Sequence, residues 1–235
     1  MLLQDTAAVD KAFDTLKTYD WGADRNLLNP IDAAIIATSG DAAARKDIEK
    51  RLLDVFTGGS SRSAKDFICR ALGTIGTAQS VPALAHLLPD NDLSHMARYA
   101  LQRITASEAV AAMRDAMPKL TGALKIGTIG SLGIRRDTQS VAALTGLLGD
   151  GDKAIAGAAA GALGTIGSPE SGKALIAALK KTPAAVDASL ICGDQLLGDG
   201  KKAEAVALFK AIGDANVSND VSLAARRGLL KAAGR

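Results

Sequence analysis

The residues able to do chemistry are few and scattered. The chain holds two histidines, His86 and His95, and two cysteines, Cys69 and Cys192. A zinc site needs Cys and His gathered at short spacing, and no CxxC or Cys/His cluster occurs. His95-Met96 has no CxxCH beside it, so no attached haem is implied. Gly127, Gly130 and Gly133 look like a dinucleotide loop only superficially, because the spacing is wrong and no strand precedes them. No Ser/His/Asp set assembles. These residues predict a chain with no catalytic residue, no metal and no cofactor, and therefore not an enzyme. Both cysteines fall in apolar helical patterns and are expected to be buried thiols, too far apart in a stacked fold to pair.

Charge is the one uneven feature. Between Leu93 and Arg136 lie Arg98, Arg103, Arg114, Lys119, Lys125, Arg135 and Arg136, opposed only by Glu108 and Asp115. The formal net charge of the whole chain is +3, so this stretch carries the entire positive excess. An anion-binding patch for an acidic peptide, a phosphate-bearing ligand or nucleic acid is one reading. Solvated charges and cations at helix C-termini are the plainer account. Aromatics are only 3% of the residues, which weakens the nucleic-acid version because bases need rings to stack on.

A repeat must position these charges. The phrase Ala71-Leu72-Gly73-Thr74-Ile75-Gly76 returns as Ala162-Leu163-Gly164-Thr165-Ile166-Gly167, and in degraded form at Leu132-Gly133. Around each copy the apolar residues recur at helical spacing, as in Ala64, Phe67, Ile68, Ala71 and Leu72. The anchors Ile75, Ile104, Leu132, Ile166 and Leu197 are spaced 29, 28, 34 and 31 residues apart. A period near 30 with two helices per unit and no strand signal is the mark of an α-solenoid. Apolar residues make up 48% of the chain, which excludes disorder.

Capping signals recur with the repeat. Asn29-Pro30, Ser168-Pro169 and Thr182-Pro183 read as an N-cap followed by Pro at the first helical position, and Ser80 as the cap of a second helix. Gly127 and Gly130 inside one helix are expected to mark either a close backbone approach or a unit at which the solenoid flexes. Residues 1–62 hold four of the seven aromatics, Phe13, Tyr19, Trp21 and Phe56, and are expected to cover the first regular unit.

The string from Cys69 to Asp90, and that from Ala160 to Glu170, resemble HEAT repeats of the short, phycobilisome-lyase-like kind. The resemblance covers about residues 63 to 212, and most of the chain is similar to HEAT proteins of environmental bacteria. It implies an all-α, HEAT-like α-solenoid, a right-handed superhelix of stacked antiparallel helix pairs. It also names enzymes to weigh. The deoxyhypusine hydroxylase type needs several His-Glu pairs for two irons, and neither His86 nor His95 precedes a Glu. A bilin lyase would favour aromatic walls, and the regular units offer mainly Phe67 and Tyr99. Lyase-like ligand handling and nucleic-acid binding remain alternatives.

The expected layout is a helical cap over 1–62, five helix pairs over 63–220 and a capping helix over 221–235. The expected function is a scaffold binding a protein or acidic peptide along the face of the second helices, near His86, Arg114 and Lys180. No apolar run is long enough to span a bilayer, so no membrane partner is expected. The start at Met1 lacks the features of a signal peptide, which makes the cytoplasm the default compartment unless an upstream signal was removed. Asn216-Val217-Ser218 matches a glycosylation sequon.

Overall fold

The computed structural model of the chain describes residues 6–215 and 217–234. Asn216 of the sequon and the first five residues lie outside the described residues. The chain is all-helical, 78% helix, with fourteen α-helices and no strand among the described residues. It divides into two compact units, one ending at Ala116 and the other starting at Met117.

The first unit contains α1 (Thr6–Thr18), α2 (Asn29–Ala37), α3 (Ala42–Thr57), α4 (Arg62–Ile75), α5 (Val81–His86), α6 (Ser94–Arg103) and α7 (Ser107–Ala116). Here α4 packs on α6 and α5 on α7, so first helices meet first helices and second helices meet second helices. The second unit contains α8 (Gly122–Ile134), α9 (Val141–Leu147), α10 (Lys153–Ile166), α11 (Pro169–Ala178), α12 (Ala184–Gly198), α13 (Lys202–Asp214) and α14 (Asn219–Ala232). The same rule holds there: α8, α10 and α12 form one layer, and α9, α11 and α13 the other. Aliphatic side chains such as Leu72, Leu84, Leu101, Leu132 and Leu163 are fully buried between the layers. No single helix pair could hide them, which is why the pairs stack.

The recurring Leu-Gly is where successive first helices touch. A Cβ on Gly133 of α8 would lie 2.9 Å from the Ala162 Cα of α10, and one on Gly164 of α10 would lie 2.7 Å from the Ala188 carbonyl of α12. The expectation for Gly130 is corrected: a Cβ there meets nothing within 4 Å. Gly130 lies on the exposed face of α8, whereas Gly133 sits in the helix contact. The two verbatim copies of the phrase end differently. Gly76 leaves α4 in extended backbone at φ −61°, while Gly167 closes α10 in the left-handed region at φ 62°.

Caps follow chemistry that the sequence only half reveals. Asp41 and Ser61 accept the Ala44 and Ala64 backbone N–H at 3.0 and 3.1 Å. Ser168 accepts the Ser171 N–H at 3.0 Å, as expected with Pro169 behind it. Three expected caps differ. A 3-10 turn over Arg25–Leu28, capped by Asp24, runs straight into α2 and leaves Asn29 no capping role. Ser80 instead donates its hydroxyl to Glu49 Oε1 at 2.6 Å, and Thr77 caps the 3-10 turn before α5. Thr182 donates to the Leu148 carbonyl at 2.8 Å, tying the start of α12 to the end of α9.

The N-terminal aromatics also divide. Phe13 and Phe56 are buried as expected, but Trp21 is 94% exposed and covers nothing. It sits on a turn between α1 and α2.

Candidate functional site

In the first unit, Arg98, Arg103 and Arg114 lie on α6 and α7. Arg98 is half-buried, and burial pushes its guanidinium below the usual arginine value. Arg103 stacks over the Tyr99 ring at 5.4 Å and donates its Nε to the Gly73 carbonyl at 3.3 Å. It therefore serves the open C-terminus of the neighbouring helix α4. Arg114 is half-buried on α7.

In the second unit, Lys119 is exposed in the 3-10 turn Met117–Lys119, and Lys125 is half-buried in the first turn of α8. Arg136 repeats the role of Arg103: its Nε donates to the Ile166 carbonyl at the end of α10, at 3.0 Å. Its two terminal nitrogens fork the Asp199 carboxylate just past α12, Nη1 to Oδ1 at 3.2 Å and Nη2 to Oδ2. This pairing raises the Arg136 value and holds the Asp199 carboxyl below its ordinary range. Arg136 adopts φ 50°, the left-handed conformation that Gly167 takes in the matching register. So the structure brings Arg103 and Arg136 into helix-end contacts, not onto an open anion face.

A group of exposed lysines lies on the second-helix layer of the second unit. Lys173 and Ala177 are exposed on one stripe of α11, and Lys180 and Lys181 are exposed in the turn that follows it. Among the described residues none of the three lysines makes an ion pair. A cleft of about 260 Å³ between α9 and α11 is lined by Thr145, Ala174, Ala177 and Lys181. A second, of about 400 Å³, lies between α11 and α13 against Ile176, Lys180, Ala211 and Asp214. Small side chains thus let a ligand approach the helix backbones closely, with ammonium groups at the edge. The sequence showed Lys180 on this face but not the cluster. Counting charge along the chain favours runs of neighbours, whereas these lysines gather because their helix stands between two shallow clefts.

The remaining polar candidates are separated. His86 and His95 are exposed in the first unit, on α5 and α6. Cys69 and Cys192 are buried and free, and burial pushes both thiols up to about 12. Among the described residues no three His, Cys, Asp or Glu side chains gather to hold a metal ion, and no helix is long and apolar enough to cross a membrane.

Residues 120–191 match the family model of HEAT repeats. The helix-pair repeat expected from Leu132-Gly133 and Leu163-Gly164 is of this kind over that stretch. No curated protein matches the chain. A solved structure of human deoxyhypusine hydroxylase in complex with glycerol is similar at 14% identity and a TM-score of 0.39, covering 97% of this chain and 97% of that one. That protein is an enzyme, and the expectation that this chain is not one is withdrawn.

Proposed function

We propose that the chain is a helical-repeat scaffold that binds an acidic segment of a partner protein on its second-helix layer, across α9, α11 and α13. The observation that carries this reading is the set of unpaired lysines Lys173, Lys180 and Lys181 beside two clefts lined with small side chains. Exposed cations held near low, open backbone attract carboxylates over a distance and fix their register on contact. Arg103 and Arg136, spent on helix ends, add little to such a surface. Nucleic acid is disfavoured, since no aromatic ring lines either cleft and stacking platforms are what single strands require.

The test is titration with a fluorescently labelled polyglutamate peptide. Binding should weaken with salt, and Lys180→Glu with Lys181→Glu should weaken it by at least ~10-fold, the equivalent of about 1.4 kcal/mol. A peptide of neutral residues that binds equally well would refute the reading.

A further inference from the structure

The turn between α1 and α2 carries another surface, wholly within the first unit. It is a groove of about 430 Å³. Arg62, Asp66 and Arg70 line it from one stripe of α4, Trp21 from the turn, and Met96 from α6. The turn is pinned in place: Ser61 Oγ donates to the Tyr19 carbonyl at 2.5 Å, and Ser63 Oγ donates to Asp20 Oδ1 at 3.3 Å. A fastened turn therefore holds an indole that is 94% exposed at the lip of a groove.

The charges around it are unequal. Arg25 stacks over the Phe67 ring at 4.6 Å and pairs with Asp32 at 2.7 Å. Arg70 pairs with Asp66. Arg62, the first residue of α4, has no ion pair among the described residues. Two guanidinium groups are thus held in position and a third is left to a ligand. Trp, Tyr and Arg are the side chains that carry most binding energy at protein interfaces, and Met is enriched there. A guanidinium matches a carboxylate by two parallel hydrogen bonds.

We propose that this groove docks an aromatic side chain of an acidic partner segment against Trp21, with an adjacent carboxylate forked by Arg62. The inference rests on the reading that the chain binds an acidic partner, and adds the contact that would select among such partners. A nucleic-acid strand fits less well. It needs rings for successive bases, whereas Phe67 is already covered by Arg25 and Tyr19 is half-buried.

Trp21 is the only tryptophan in the chain, so its emission reports on this groove alone. The probe is a capped peptide of glutamates with one central phenylalanine, titrated by calorimetry and by emission together. A saturable blue shift tracking the calorimetric isotherm is expected. Changing the peptide's phenylalanine to alanine should abolish the shift. Trp21→Ala should weaken calorimetric binding by roughly 30-fold, as for a central interface residue. Arg62→Glu should weaken it by at least ~10-fold, and Arg62→Gln, which keeps a polar residue at the helix start, in the same direction. Peptide binding with unmoved emission, abolished by Lys180→Glu and Lys181→Glu, overturns the groove and leaves the lysine surface standing. No binding by calorimetry overturns both. An equal shift with oligothymidylate overturns the assignment to a protein segment.

Discussion

Arg136 and Asp199 stand 63 residues apart in the chain and face each other as a two-pronged ion pair, while Arg136 also donates to the Ile166 carbonyl between them. One side chain thereby ties the ends of three successive first helices in the second unit. The left-handed backbone at Arg136 is what lets the guanidinium reach both partners from a position where another copy of the repeat uses glycine.

Both groups of this pair are open to solvent, so its contribution is modest and visible through pH. Arg136 lowers the Asp199 carboxyl from its ordinary 3.8. A carboxyl whose folded value lies below its unfolded one stabilises the fold fully above the unfolded value and loses that contribution as pH falls through the folded value. Asp199→Asn should therefore melt below wild type at neutral pH, and the gap should close on acidification below about pH 4. A gap that stays constant down to pH 2 contradicts the pair's role.

Glu49 is a fully buried carboxylate that accepts the Thr77 backbone N–H at 2.7 Å, the Thr77 hydroxyl and the Ser80 hydroxyl. Glu49→Ala leaves all three donors stranded and should destabilise the first unit by roughly 2–4 kcal/mol. Glu49→Gln keeps an accepting oxygen and should recover part of the loss. Equal chemical denaturation midpoints for wild type and Glu49→Ala would refute this.

The glycines give a paired test. Gly164→Ala pushes a methyl into the Ala188 backbone and should destabilise by about 1–3 kcal/mol. Gly130→Ala enters open space on a helix and should stabilise by up to ~1 kcal/mol. Reversal of the two signs in thermal melts would overturn the assignment of the helix contacts.

With thiols pushed up to about 12 by burial, Cys69 and Cys192 should be inert to a thiol reagent at pH 8 in the native protein and react only on unfolding. Stoichiometric labelling of native protein would contradict their placement.

The repeat was legible because burial and helical period repeat together: Leu72, Leu101, Leu132 and Leu163 are all fully buried where their register predicts. The Leu-Gly phrase even marked the helix contacts, although Gly130 did not. The charges were less legible. A cluster along the chain, Arg98 to Arg136, includes side chains turned to helix ends, because a carbonyl left open at one helix lies within reach of an arginine of the neighbouring helix. Lys180 was legible on the second-helix face, but Lys173 and Lys181 were not, and only the layer of second helices brings Lys180 and Lys181 to the edge of the clefts. Trp21 looked like a cap for the same reason that most tryptophans do, its size. Nothing local showed that its turn would be fastened outward by Ser61 and Ser63.

The most direct measurement of the central claim is amide chemical-shift mapping of the native chain during titration with unlabelled polyglutamate. The account predicts that the largest shifts fall on Lys173 and Ala177 of α11 and on Lys180 in the turn after it, with smaller ones on the facing residues Thr145 of α9 and Ala211 of α13. Shifts spread evenly over all exposed lysines, or confined to the Arg98–Arg136 stretch, would contradict it.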